Sequence, residues 1–340
     1  MSNRTDQQRS ASSYVIAEMA CSHDGNADLA KRIIDGAGDA GAHAIQFQIW
    51  ILADMVVAHH PSYSILQSLE LSPDTWKELA TYTRQRYPAM DIIACVSESS
   101  SVELSEDLGA HAYKIHAGDL SNHVLLQQVA RTGKRIDLCV GASTQDEIQA
   151  ALTSIHGAAA SEVWLMYGYQ VFPTPTHAIH LRYMQTLIDK FGLRVGYQDH
   201  SDAEAEAAFY LPAVAMGLGI NVQEKHITHD RSAKGADHQS ALNPSEFKRF
   251  VDMIRDIDKA LGLANQREFS AQESEYRRYS KKSLVAARNL PVGHRLEGRD
   301  LLAMRADRIG VPPDEGSRLN GRVLRRAISA QHLIAEEDVE

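Results

Sequence analysis

His200 and His226 stand at the ends of the seventh and eighth strand-like runs of this chain. If those runs end side by side, the two imidazoles can share one divalent ion, since neutral imidazole ligates many first-row metals. Sixteen histidines also make a chance pair at strand ends an ordinary outcome. Lys114 ends the apolar run Tyr113-Lys114-Ile115. On the residues alone it suits a lysine whose stem lines the interior while its head reaches water. A Schiff-base role demands a desolvated lysine of lowered pKa and is the weaker reading. Cys21, Cys95 and Cys139 all fall near the C-terminal ends of strand-like runs. Small buried thiols are generally inert, and no pair stands out as a disulfide.

These residues must be positioned by the runs that carry them. Eight are strand-like: Val15–Ala20, Ala44–Ile49, Asp91–Val96, Ala112–Ile115, Arg135–Cys139, Val163–Tyr167, Arg194–Gln198 and Ile220–His226. Between them lie helical stretches, Asp28–Ala40, Asp74–Tyr87, Ser101–Leu108, Asn122–Arg131, Thr144–Ile155, Arg182–Phe191 and Asp202–Met216, with Pro244–Leu261 after the last. In the first of these, Leu29, Ile33, Ile34 and Ala37 share one face. Eightfold alternation predicts an α/β fold of the (β/α)8 TIM-barrel class, although an open doubly wound sheet also alternates. Residues 266–282 (QREFSAQESEYRRYSKK) are charged and poor in large aliphatics, and read as a linker. Beyond it Ser283–Arg288, Leu301–Arg305 and Gly321–Ile328 read as strands and Leu290–Gly293 as a turn, which is a small β-rich module. The expected organisation is a disordered tail at 1–13, a barrel at 14–265, the linker and a β-rich domain at 283–340.

The length of 340 residues accommodates a barrel of about 250 residues with such a module. A net charge of −9 and the lack of any basic run argue against nucleic acid as a partner. No apolar stretch approaches the roughly 20 residues that span a bilayer, and Met1 to Ser13 is polar with no signal-peptide pattern. Cysteine usage without CxxC spacing points to a reducing cytoplasm.

A family resemblance is carried by motifs in order. Ile16-Ala17-Glu18 through Ser22-His23-Asp24-Gly25 resembles the first strand and loop of sialic acid synthases. Ala40-Gly41-Ala42, Tyr113-Lys114-Ile115, Pro173-Thr174-Pro175, Asp199-His200, Glu224-Lys225-His226 and Gly235-Ala236-Asp237 follow in family order. Ser283 to Ala287 through Arg305 resembles the family's antifreeze-like (SAF) domain, a β-clip module. The match spans nearly the whole chain, and spore-coat polysaccharide biosynthesis proteins of type E share this architecture. The resemblance implies a divalent metal, commonly Mn2+, on His200 and His226. It implies a donor-holding role for Lys114 and places Asp24 and Asp237 near the acceptor sugar, to bind hydroxyls or move a proton. It further implies a homodimer in which Arg305 enters the neighbouring subunit's active site.

Several donor-facing positions depart from the family pattern. Gln46-Phe47-Gln48 stands where relatives carry Lys-x-Gln, so one phosphate-binding cation is missing. Ala94-Cys95-Val96-Ser97 replaces Ser-Thr-Pro-Phe, His116-Ala117-Gly118-Asp119 a Gly-Ser-Gly-Glu type, and Cys139-Val140-Gly141 a Ser-Thr-Gly. Tyr169-Gln170 replaces Thr-Asn, and Gln198 a serine. Phosphate is held by cations and hydroxyl or amide donors, so losing these groups together weakens phosphate binding by a few kcal/mol. The expected binding set is Gln46, Gln48, Cys95, Ala117, Cys139, Gln170, Gln198 and Arg305.

The resemblance implies condensation of phosphoenolpyruvate with an open-chain N-acetylhexosamine to a nine-carbon 2-keto sugar acid, for surface polysaccharide biosynthesis. The departures keep two rivals open: a metal-dependent aldolase or lyase that uses an unphosphorylated 2-oxo acid such as pyruvate, and a catalytically silent carbohydrate-binding homologue.

Overall fold

Eight largely buried strands need cover on both faces, and here helices cover one face while the strands curl round the other. The computed structural model describes residues 12–158, 162–262 and 267–340. Its strands are β1 (Tyr14–Glu18), β2 (Ala44–Ile49), β3 (Asp91–Val96), β4 (Ala112–Ile115), β5 (Arg135–Cys139), β6 (Val163–Tyr167), β7 (Arg194–Asp199) and β8 (Val222–His226). They form one closed barrel in chain order, parallel throughout, with β8 returning to β1.

Period-2 alternation divides each strand between two environments. The outward residues, among them Val15, Ala17, Ile45, Phe47 and Ala94, join the large core beneath the helices. The inward residues Ile16, Ala44, Ile93, Ala112, Trp164, Met166 and Val222 fill the lower barrel. Below that plug Arg135 lies between the Tyr14 and Trp164 rings, 5.0 and 3.9 Å from their centroids, and pairs with Asp137 at 2.9 Å. Above the plug the inward residues are largely polar, among them Gln48, Lys114, Gln198, Glu224 and His226.

Local signals mark the helix ends. The Asn26 side chain accepts the Asp28 and Leu29 N–H groups to open the helix Ala27–Ala40. Gly41 then closes it in the left-handed region, at φ 80°. Thr144 and Glu147 form a capping box before Gln145–His156.

Some expectations are corrected. The stretch expected as a helix from Asp202 begins only at Ala207. Asp202 accepts the Glu204 N–H, and the Ala203 N–H bonds to Gln239 O, so the first residues form a turn. Two short helices that periodicity did not signal, Leu52–Met55 and Tyr63–Leu69, follow β2. Residues 1–11 of the expected tail lie outside the described residues, but Ser13 is buried and donates its N–H and hydroxyl to Asp258, both at 2.8 Å.

The described residues fall into two compact units, the first ending at Gly262. The presumed linker is not extended, because Ala271–Ser280 is a helix opened by a Ser270–Glu273 capping box. In the second unit β9 (Lys282–Ala286) pairs antiparallel with β10 (Leu301–Arg305) over Leu284, Leu290, Leu296, Leu319 and Ile334. The expected strand Gly321–Ile328 is reduced to isolated bridges at Val323, Leu324 and Ile328.

Candidate active site

The inward polar residues of the upper barrel enclose a cavity of about 260 Å³. Lys114 of β4 is buried at its base, with Nζ 2.5 Å from Glu224 Oε1 and 3.5 Å from Glu18 Oε2. Burial alone would push this lysine down; the two carboxylates outweigh it and hold it above its usual value. Glu18 is pushed up to about 8, chiefly by burial and against the attraction of Lys114. Gln198 Nε2 donates to the same Glu224 oxygen at 3.0 Å. Ammonium, carboxylates and amide are thus wired together from four strands.

Above them His200 and His226 face each other, with ring centroids 5.4 Å apart. His200 Nδ1 lies 2.8 Å from Tyr169 O. A carbonyl can only accept there, so the proton sits on Nδ1 and Nε2 keeps its lone pair. His226 has a buried Nδ1 with no hydrogen-bond partner among the described residues. Burial pushes His200 down to about 4 and His226 well below its usual value. Two neutral imidazoles side by side, one oriented by a carbonyl, fit a divalent ion. Phe172 packs on both rings, at 4.2 and 5.7 Å. The next residues on the other strand face, Asp199 and Lys225, form a buried pair at 2.7 Å. That pair locks the two strand ends that aim the histidines.

Of the residues expected at the site, Lys114, Asp237, Gln48, Cys95, Cys139, Gln170, Gln198, His200 and His226 line the cavity. Asp237 accepts the Cys21 N–H at 3.3 Å, and burial raises its pKa. Gln170 Nε2 reaches Cys139 Sγ at 3.4 Å. Burial also pushes the Cys21, Cys95 and Cys139 thiols up, which keeps them protonated and poor nucleophiles.

Three expected residues of the barrel unit are placed elsewhere. Gln46 shares the inward parity of Gln48 but lies fully buried below the cavity, and neither its Nε2 nor its Oε1 has a hydrogen-bond partner among the described residues. Ala117 starts a 3-10 turn and does not line the cavity. Asp24 turns aside, accepting the Ala236 N–H at 3.1 Å and facing His238 at 3.5 Å. Arg305 ends β10 in the second unit. Glu18, Glu224 and His116 also line the cavity and carried no assigned role from sequence. The signal for Glu224 was available, since it stands two residues before His226 and shares its parity.

Comparison with known proteins places these features in a lineage. A model of the NeuB family matches residues 33–266. The chain is 31% identical to the N,N'-diacetyllegionaminic acid synthase of Campylobacter jejuni, over 82% of this chain and 86% of that one. Among solved structures it resembles the N-acetylneuraminic acid synthetase of Leptospira borgpetersenii in complex with citrate. That likeness has a TM-score of 0.71 at 26% identity, over 79% of this chain and 92% of that one. It also resembles the spore coat polysaccharide biosynthesis protein SpsE of Bacillus subtilis, with a TM-score of 0.66 at 26% identity over 97% and 96%.

Proposed function

The chain belongs to the NeuB family, and from that premise we propose that it condenses phosphoenolpyruvate with an open-chain N-acetylhexosamine. The products are a nine-carbon 2-keto sugar acid and inorganic phosphate. C3 of the enol bonds to the aldehyde carbon, water adds at C2, and phosphate departs. The observation that carries this reading is the pair His200 and His226 standing over the Glu18–Lys114–Glu224 group in one cavity. His200 and His226 would hold a divalent ion, Mn2+ by resemblance, whose chemistry is to bind and polarise the aldehyde oxygen.

The chain's own groups do the rest. Lys114 presents positive charge at the cavity base, where the donor carboxylate can meet it. Glu18, raised by burial, holds a proton near neutral pH; Oε1 accepts the Ala20 N–H at 2.7 Å, which leaves Oε2, 3.5 Å from Lys114, to carry it. Asp237 faces the cavity beside Cys21 and is placed to bind an acceptor hydroxyl. Gln48, Gln170 and Gln198 supply uncharged donors on the walls. We assign the second unit an antifreeze-like role, delivering Arg305 to the site of a second copy in a homodimer.

One observation favours a second reading, an aldolase or lyase that uses an unphosphorylated 2-oxo acid. Among the described lining residues Lys114 is the one permanent cation, and it is already paired with Glu224 at 2.5 Å. A phosphate-bearing donor asks for more positive charge than this wall offers. A thermal-shift series with Mn2+ separates the two. A ligand at 100 times its Kd stabilises by about 2.7 kcal/mol. Phosphoenolpyruvate should raise the melting temperature and pyruvate should not; the reverse result replaces the first reading with the second.

A further inference from the structure

Three potential ligands lie just outside the cavity and take no part in the reaction above. Asp24 sits in the loop after β1, and His229 and His238 sit in the loop after β8. One ligand atom from each lies within 4.8 Å of the others. His238 Nε2 is 3.5 Å from Asp24 Oδ2. Two ligands of one tetrahedral ion, each about 2.0–2.1 Å from it, stand about 3.4 Å apart. The observed separation already matches a shared ion. The rings of His229 and His238 lie 5.4 Å apart and close to perpendicular, at 77°.

The surroundings are those of a ligand set. Ser22 O lies 3.3 Å from His229 Nδ1 and 3.3 Å from His238 Nε2, and Thr228 Oγ1 lies 3.0 Å from His238 Nε2. The bond to Ser22 O puts the His229 proton on Nδ1 and leaves its Nε2 with a lone pair, the arrangement that commonly orients a metal-bound imidazole. His238 Nε2 lies equally close to that carbonyl, and it can ligate only in the tautomer that carries the proton on Nδ1. Carboxylate, imidazoles, carbonyl and hydroxyl are all electron-pair donors. His238 is buried, and its Nδ1 has no hydrogen-bond partner among the described residues.

The backbone is bent to bring this set together. Asp24, Lys234 and Asp237 all adopt positive φ, at 48°, 55° and 62°, where non-glycine residues are strained. Gly235 packs so closely on Asp24 that a Cβ there would lie 2.3 Å from both carboxylate oxygens. A path from solvent exists, because Gly235 and His238 also line a cavity of about 660 Å³ with Asp202, Glu204 and Asp230 on its wall.

We infer that Asp24, His229 and His238 hold a second divalent cation, separate from the pair His200 and His226. The ion ties the loop after β1 to the loop after β8. Asp237, adjacent to His238 and bonded to the Cys21 N–H, is the residue it positions.

The experiment counts bound ions by plasma mass spectrometry after chelation and equilibration with excess Zn2+. It uses the full chain, the double variant His200→Ala/His226→Ala, and the single variants Asp24→Asn and His229→Ala. Asp24 and His229 are only partly buried, so these changes spare the packing, and circular dichroism checks that each variant is folded. Two ions per wild-type chain, one in the double variant and one in each single variant is the expected result. One ion in the wild type, kept by the double variant and lost in His229→Ala, also supports this cation while removing the one at His200 and His226. Stoichiometry unchanged by Asp24→Asn and His229→Ala overturns the inference, as does a double variant that binds no ion.

Discussion

Glu18 is a carboxyl placed where water cannot solvate its charge. Its pKa is raised from 4.5 to about 8, so the stability tied to its protonated form is fully present below 4.5 and is lost as pH rises through about 8. Glu18→Gln mimics the protonated form. Melting temperatures followed from pH 6 to 9 should fall in the wild type and fall less in this variant; parallel curves would contradict the raised value. Gln46 offers a second test at the same scale. Gln46 lies sealed beneath the cavity, so a lysine there restores the cation of the family pattern only if its longer stem carries the ammonium up to the cavity. One charge-assisted hydrogen bond gained in this way, of about 1.5–3 kcal/mol, corresponds to roughly tenfold or more in affinity. Titration calorimetry of Gln46→Lys should then show tighter phosphoenolpyruvate and unchanged pyruvate. Equal affinity for phosphoenolpyruvate in both proteins would mean that the ammonium stays below the cavity.

At the scale of elements, the cavity depends on how closely the ends of β5, β6 and β7 approach. A Cβ on Gly141 would lie 2.1 Å from Gly168 O and 2.7 Å from Gln170 Nε2, and a Cβ on Gly168 would lie 2.4 Å from Gln198 O. Side chains cannot occupy those gaps, so the two glycines let Gln170 and Gln198 meet Cys139. Gly141→Ala should destabilise by about 1–3 kcal/mol, as overpacking does. Denaturant melts measure this, and a neutral result would mean that the β5 and β6 ends yield more easily than the packing implies. The helix Ala271–Ser280 carries a related lesson. Its charged sequence resembles a linker, yet the Ser270–Glu273 box is a start signal that composition hides.

For the whole molecule, the proposed exchange of second units makes a reciprocal prediction. His226→Ala and Arg305→Ala each impair function if Arg305 serves a neighbouring site. A mixed dimer then has one site with both defects and one with neither, so phosphoenolpyruvate-dependent activity partly returns on mixing. If each chain uses its own Arg305, every site keeps one defect and mixing restores nothing. The helix at 271–280 limits the reach of this segment, since a helical residue advances about 1.5 Å against about 3.3–3.6 Å when extended.

Sequence by itself determined the eight strand–helix repeats and most of the strand limits, because strand parity, helix periodicity and caps are local; alternation suits an open sheet as well, and it was the ordered family motifs that singled out the barrel. It also placed His200, His226 and Lys114 at strand ends, and strand order in a closed barrel brings such ends to one face. The tertiary structure decided what depends on distance. Lys114 meets Glu224 across 110 positions of chain and Glu18 across 96, and no local pattern announces either contact. Asp24, matched by motif to the acceptor site, is turned by its positive φ toward His238, which lies 214 positions away. Gln46 and Gln48 share one parity, yet only the taper and depth of the barrel decide that Gln48 lines the cavity while Gln46 lies sealed beneath it. Residue type and parity state what a side chain can do. Which partners it meets is set by closure of the sheet, which joins segments that the chain keeps far apart.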